Sequence, residues 1–128
     1  MPHRFLRIQL LVAVALAGLA LSCGGGTGTG DLDKIQITAS QFEISLTNTS
    51  GRALMDVVAE IKPTGPSSHY VSHLARIENG EKQSIAHTSF TDRDHIPFSA
   101  RNTKASLIIV SAKDIDGKVV HVEVPFKR

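Results

Sequence analysis

The sequence predicts an all-β fold: an antiparallel β-sandwich of about seven strands after an N-terminal export segment. Three observations carry this expectation. Apolar residues recur at every second position in short runs, the spacing that gives a strand one buried face. Clusters of Gly, Asn, Asp, Pro and Ser interrupt the runs every eight to twelve residues. Beyond Asp31 no stretch reads as a credible helix.

The chain begins with a different kind of segment. Arg4 and Arg7 give a positive start, and no acidic residue precedes Asp31. Leu10 to Leu21 is then an almost unbroken apolar run of twelve residues. A bilayer-spanning helix needs about 20 apolar residues, so the run fits the apolar region of a secretory signal. It ends in Leu19-Ala20-Leu21-Ser22-Cys23, with small residues where a signal peptidase admits little else. Cys23 is the only cysteine, so no intramolecular disulfide forms.

This segment resembles a bacterial lipoprotein signal, whose terminal cysteine is acylated and becomes the new N-terminus. The usual Leu three residues before the cysteine is replaced by Ala20, with Leu19 one place earlier. The resemblance implies a signal peptide over residues 1–22, lipidation at Cys23 and a lipid bilayer as the first partner. In bacteria with two membranes, Gly24 rather than Asp after the cysteine implies the outer membrane, facing the periplasm or the cell surface.

Removing residues 1–22 also removes Arg4 and Arg7, two of the 14 basic residues, leaving 12 against 12 acidic ones. The mature chain is formally neutral and has no basic run, so nucleic acid is not expected as a partner. Aromatic residues are five Phe and one Tyr with no Trp, a poor supply for stacking sugars or bases.

Residues 23–31 are a glycine-rich tether, expected to behave as a coil about 15 Å across. No strand precedes it and no Lys-Ser/Thr follows, which excludes a phosphate loop. The domain occupies residues 32–128. Ile35 and Ile37 form the first apolar face, Phe42, Ile44 and Leu46 the second, and Met55, Val57, Ala59 and Ile61 the third. Asn48 to Gly51 and Pro63 to Ser68 break these runs. Tyr70 to Ile77 is less regular, with Val71, Ala75 and Ile77 on one parity. Asn79-Gly80 then predicts a hairpin into a weak strand, Lys82 to His87. Ala105 to Ala112 is strongly β-branched, and Asp114 to Gly117 turns it into a last strand with Val120, Val122, Val124 and Phe126 on one face.

Clean alternation predicts antiparallel sheets with one wet face each, in an immunoglobulin-like or fibronectin-like arrangement. Leu46 to Val57, with its Asn-x-Ser turn followed by Asp56-Val57, and Ile77-Glu78-Asn79-Gly80-Glu81 resemble the small immunoglobulin-like domains of bacterial envelope proteins. That resemblance implies fold and envelope residence, and supplies no catalytic residue.

The longest gap between strands, Thr88 to Lys104, is a candidate interaction loop carrying Phe90, Asp92, Arg93, Asp94, His95, Phe98 and Arg101. The competing reading has Phe90 and Phe98 plugging an open end of the sandwich while the charges stay solvated. His69 and His73 would sit about 13 Å apart on a strand, too far for one ion. Asp114, Asp116 and Gly117 resemble part of a calcium loop, but the remaining ligands are missing and a hairpin turn explains them. Neither a metal site nor a cofactor is expected. No Gly-x-Ser-x-Gly or His-Glu-x-x-His occurs, so the chain is not expected to be an enzyme. The functional expectation is a membrane-anchored envelope lipoprotein acting as a non-catalytic interaction or assembly module with a protein partner. The alternative is a small-ligand, glycan-binding or metal-handling domain.

Overall fold

The structure, a computed structural model, describes residues 28–127. The export segment, Cys23, Gly24 to Thr27 and Arg128 lie outside the described residues. Eight strands follow in order: β1 (Thr29–Gly30), β2 (Ile35–Ala39), β3 (Glu43–Asn48), β4 (Leu54–Pro63), β5 (Tyr70–Ile77), β6 (Lys82–Ala86), β7 (Ala105–Lys113) and β8 (Val119–Pro125). They form two antiparallel sheets, ordered β1-β8-β7-β4-β5 and β2-β3-β6. The chain changes sheet after β1, after β3, after β5 and after β6. Sequence neighbours therefore face one another across the core. β2 to β8 are the seven strands expected from the periodicity.

The core lies between the sheets. Ile35, Ile44, Leu46 and Ile85 of the smaller sheet face Val57, Ala59, Ile61, Ile108, Val110, Ala112, Val120 and Val122 of the larger one, all buried. The outer face of the smaller sheet is hydroxyl-rich, with Ser45 Oγ 3.1 Å from Ser84 Oγ across β3 and β6. In β3 the inward face runs Ile44, Leu46, Asn48. Phe42 is not part of it: it sits in the β2–β3 turn and is 73% exposed.

The inward parity of β4 changes partway. Leu54 is buried, Met55 is half-buried, and burial resumes at Val57, Ala59 and Ile61. The cause is Asp56, whose φ of +51° inserts an extra residue against β7. Such a bulge rotates the strand by one side chain. β5 switches at the same level: Ser72 and Leu74 point inward on one parity and Ile77 on the other, leaving Ala75 exposed. The expected faces of Met55 and of Val71 and Ala75 are thus corrected by one local feature.

Asn79-Gly80 makes a turn, but not a hairpin. β5 and β6 lie in different sheets, so the turn crosses over the core. Of its two central residues only Gly80 has positive φ, whereas the tight hairpin turn needs it at both. Its polar groups go instead to the neighbouring turn: Gly80 N donates to Asn48 O at 2.8 Å and Gly51 N to Asn79 Oδ1 at 3.0 Å.

The last part of the glycine tether is also ordered. Thr29 and Gly30 pair with Glu123 and Val122 at the edge of the larger sheet. Asp31 N donates to His121 O at 2.8 Å, and Asp31 Oδ2 accepts from His121 N at 3.1 Å. Gly30 has φ +91°, and a Cβ there would lie 2.1 Å from His121 O. Only glycine permits this approach.

The sandwich has two distinct ends. One, the tether end, gathers the β2–β3 turn, the start of β5, the 88–104 loop and the C-terminus of β8. The far end gathers the Asn48 turn, the Asn79-Gly80 turn and the β7–β8 hairpin.

Candidate functional site

The 88–104 segment begins with a short 3-10 turn over His87–Ser89. It then runs beside β5: Val71 N donates to Thr91 O at 2.8 Å and Thr91 N to Val71 O at 3.1 Å. Phe90 and Phe98 are 0% and 2% exposed, and Phe98 N donates to Phe90 O at 2.8 Å. Phe98 sits edge-on to Tyr70, His87 and Phe126, with ring centroids 5.3, 5.5 and 5.9 Å away. These two phenylalanines close the sandwich and are not available to a partner. The plug reading of the loop is the one the packing supports for them.

The charged members of the segment have different roles. Asp92 Oδ1 accepts from Asp94 N and Ile96 N, both at 2.9 Å. It therefore shapes a tight turn in which His95 takes φ +62°. Arg93, Asp94, His95 and Arg101 are exposed. Of the seven loop residues picked from the sequence, four remain as surface.

The same turn chemistry recurs in the β7–β8 hairpin. Asp114 Oδ1 accepts from Asp116 N and Lys118 N, both at 2.9 Å. Arg52 pairs with Asp116 across the far end. A carboxylate spent on backbone N–H groups within its own turn is a structural element, and sequence spacing does not separate it from a ligand. A depression of about 630 Å³ beside β5 is lined by His69, His73 and His95 with Asp92 and Arg93. His69 Nδ1 is 3.4 Å from Glu60 Oε2. Among the described residues no three His, Cys, Asp or Glu side chains come together as a metal-binding group.

The sequence reading missed one polar chain. Ser111 Oγ lies 2.9 Å from His121 Nδ1, and His121 Nε2 lies 3.2 Å from Glu123 Oε1. Ser111 and His121 are direct cross-strand partners on the outer face of the larger sheet. Parity places all three on the outward side of their strands, but joining Ser111 to His121 takes the register of β7 against β8. The order Ser–His–Glu matches that of a hydrolase, but the setting does not. An oxyanion needs preorganised N–H donors aimed at it. Here the backbone around Ser111 is engaged by β4 on one side and β8 on the other. The side chains of His121 and Glu123 are 47% and 37% exposed, and water competes for such pairs. The chain is a surface hydrogen-bond ladder.

The most connected polar residue is Asn48, which is 0% exposed. Its Nδ2 donates to Arg52 O at 2.6 Å and Ile77 O at 2.9 Å, and its Oδ1 accepts from Ser50 N at 3.0 Å and Ser50 Oγ at 2.7 Å. This is a staple between two turns, with its hydrogen-bonding capacity filled. Among the described residues no helix is long and apolar enough to cross a membrane. No protein-family model matches the chain, and no match to it is found among curated proteins.

Proposed function

We propose that this chain is a lipid-anchored protein of the bacterial cell envelope whose β-sandwich works as a non-catalytic interaction or assembly module. One observation carries the reading. The polar groups that a reacting centre would need are committed to turns and sheet ladders, while Cys23 stands only five residues before the docked Gly28. Acylation there fixes a small domain to a surface, since each buried CH₂ contributes about 0.8 kcal/mol.

The test is intact mass of the protein extracted from membranes, beside a Cys23→Ala variant. The expected wild-type mass is that of residues 23–128 plus acyl chains, absent in the variant. An unmodified mass in both removes the anchor. Cross-linking in intact cells should then yield one discrete, reproducible protein adduct, and its absence would count against the module role. Deleting the 88–104 loop is not a usable probe of partners, because it removes Phe90 and Phe98 from the core.

A further inference from the structure

We infer that the tether end of the sandwich, bearing Phe42 and the tip of the 88–104 loop, rests on the bilayer surface. This rests on the lipid-anchor reading above and adds an orientation to it.

The direction comes from β1. Thr29 pairs with Glu123 and Gly30 with Val122, antiparallel. Gly28 follows the same line, since a Cβ there would meet Glu123 O and Val124 Cγ1 at 3.0 Å each. The chain therefore enters the domain from beside Val124, near the C-terminal end of β8. Gly30 holds this docking by its positive φ and its contact with His121 O.

Length supplies the second half. Five residue steps separate Gly28 from Cys23, a reach of at most ~18 Å. From the level of Val124, Phe126 lies two residues along the strand, ~7 Å. Val119 lies five residues the other way, ~17 Å, with the Asp114–Lys118 turn beyond it. A fully stretched tether barely reaches the far end of the sheet and leaves nothing to span the hairpin. Only the tether end can approach the interface end-on.

The surface there suits an interface between water and lipid. Phe42 is 73% exposed and Ile96 55% exposed. His87 N donates to Phe42 O at 2.8 Å, and the His87 ring lies 6.0 Å from Phe126. Phe42 is thus tied to the end where β8 finishes. The Thr91–Val71 bridge aims the Asp92–Ile96 turn past Tyr70, toward the same end. Exposed Arg93, Arg101, Lys104 and Lys127 accompany Glu43, Asp92 and Asp94, so like-charge repulsion from anionic headgroups is not dominant. Aromatic side chains beside basic ones favour the headgroup level of a bilayer.

The chain has no Trp, so Phe42→Trp and Ile115→Trp each create a single reporter. The lipidated variants would be reconstituted in vesicles of phosphatidylglycerol and phosphatidylcholine, the latter brominated near the glycerol. Phe42→Trp emission should shift to the blue and lose most of its intensity. Ile115→Trp, on the far hairpin and 67% exposed before substitution, should keep its emission. Equal quenching, or quenching only of Ile115→Trp, overturns the orientation while leaving the anchor intact. Failure of the extracted protein to float with vesicles, together with an unacylated mass, overturns the anchor and the orientation with it.

Discussion

Replacing Asn48 tests how the far end of the sandwich is held. The side chain is fully buried and makes four hydrogen bonds, two to carbonyls of Arg52 and Ile77 and two from Ser50. A typical intramolecular hydrogen bond contributes about 1 kcal/mol net. Asn48→Ala should therefore cost about 4 kcal/mol, a large share of the ~5–15 kcal/mol that holds a domain together. Asn48→Asp is the sharper variant. It nearly preserves shape but sets an oxygen where Nδ2 stood, facing two carbonyl oxygens. It should cost at least as much as Asn48→Ala near neutral pH. Thr49→Ala is the control: it removes one exposed bond to Asp33 O at 2.7 Å and should cost under about 1 kcal/mol. Urea unfolding followed by far-UV circular dichroism reads the difference. With a slope of about 1 kcal/mol per M, the Asn48→Ala midpoint should fall by roughly 4 M relative to wild type, or the variant should be unfolded without urea. A shift no larger than that of Thr49→Ala would refute the argument that this residue staples the turns.

Three further outcomes are expected. Val122 is 0% exposed and Glu123 points outward, so Val122→Asp should cost about 3–5 kcal/mol by burying an unpaired charge, whereas Glu123→Lys should stay within about 1 kcal/mol; equal urea midpoints would reverse the strand parity. Gly30→Ala should lift β1 from β8, exposing the Asp31 amide to rapid hydrogen exchange while the core amides stay protected. Gly65→Ala, which also needs positive φ but meets nothing within 4 Å, should leave Asp31 protected. Finally, the hydrogen bond from the Arg76 guanidinium holds the Glu78 carboxylate below the usual glutamate range, although desolvation opposes it. A depressed acid contributes stability above its unfolded pKa and loses it as pH falls through the lower folded value, so the loss extends below ordinary glutamate titration. Carboxyl NMR titration should show the depression, and Arg76→Gln should abolish it.

Strand existence was legible because period two is a direct consequence of the pleat: β2, β3 and β8 bury Ile35, Ile44, Leu46, Val120 and Val122 as their alternation predicts, while Phe42 falls outside β3 in an exposed turn. The errors fall where a single backbone torsion overrides the pattern. Asp56 carries φ +51°, and Asp is one of the few non-glycine residues that tolerate it, but nothing in its neighbours announces the bulge. Asn79-Gly80 has the composition of a hairpin, yet sheet assignment depends on which strands the flanking segments meet across the core, a non-local matter. The loop was legible only as a loop. Its two phenylalanines are core because a sandwich has open ends to fill, while its first aspartate is a turn former because Oδ1 finds two backbone N–H groups nearby. The Ser111, His121 and Glu123 ladder needed the register of β7 against β8, which sequence alone does not set.

The two ends of the sandwich are closed by different chemistry, and the difference bears on anchoring. The far end is closed by Asn48, whose bonds are directional and lose their value if the turns shift. The tether end is closed by Phe90, Phe98, Tyr70 and Phe126, held by packing and edge-on ring contacts. Packing contacts tolerate small displacements, whereas a fully satisfied polar network is directional and rigidifies the turns it joins. Under the proposed anchoring, the apolar plug would stand at the end near the bilayer and the polar staple away from it. If the orientation were reversed, the exposed turns that Asn48 joins, at Thr49, Gly51, Arg52, Asn79 and Gly80, would meet headgroup donors and acceptors. Membrane attachment would then be expected to weaken the domain. Comparing the hydrogen-exchange protection of the far-end amides Gly80, which donates to Asn48 O, and Asn48, which donates to Glu81 O, in vesicle-bound and detergent-extracted protein decides the matter: unchanged protection fits the far end standing clear of the lipid, and faster exchange on vesicles contradicts it.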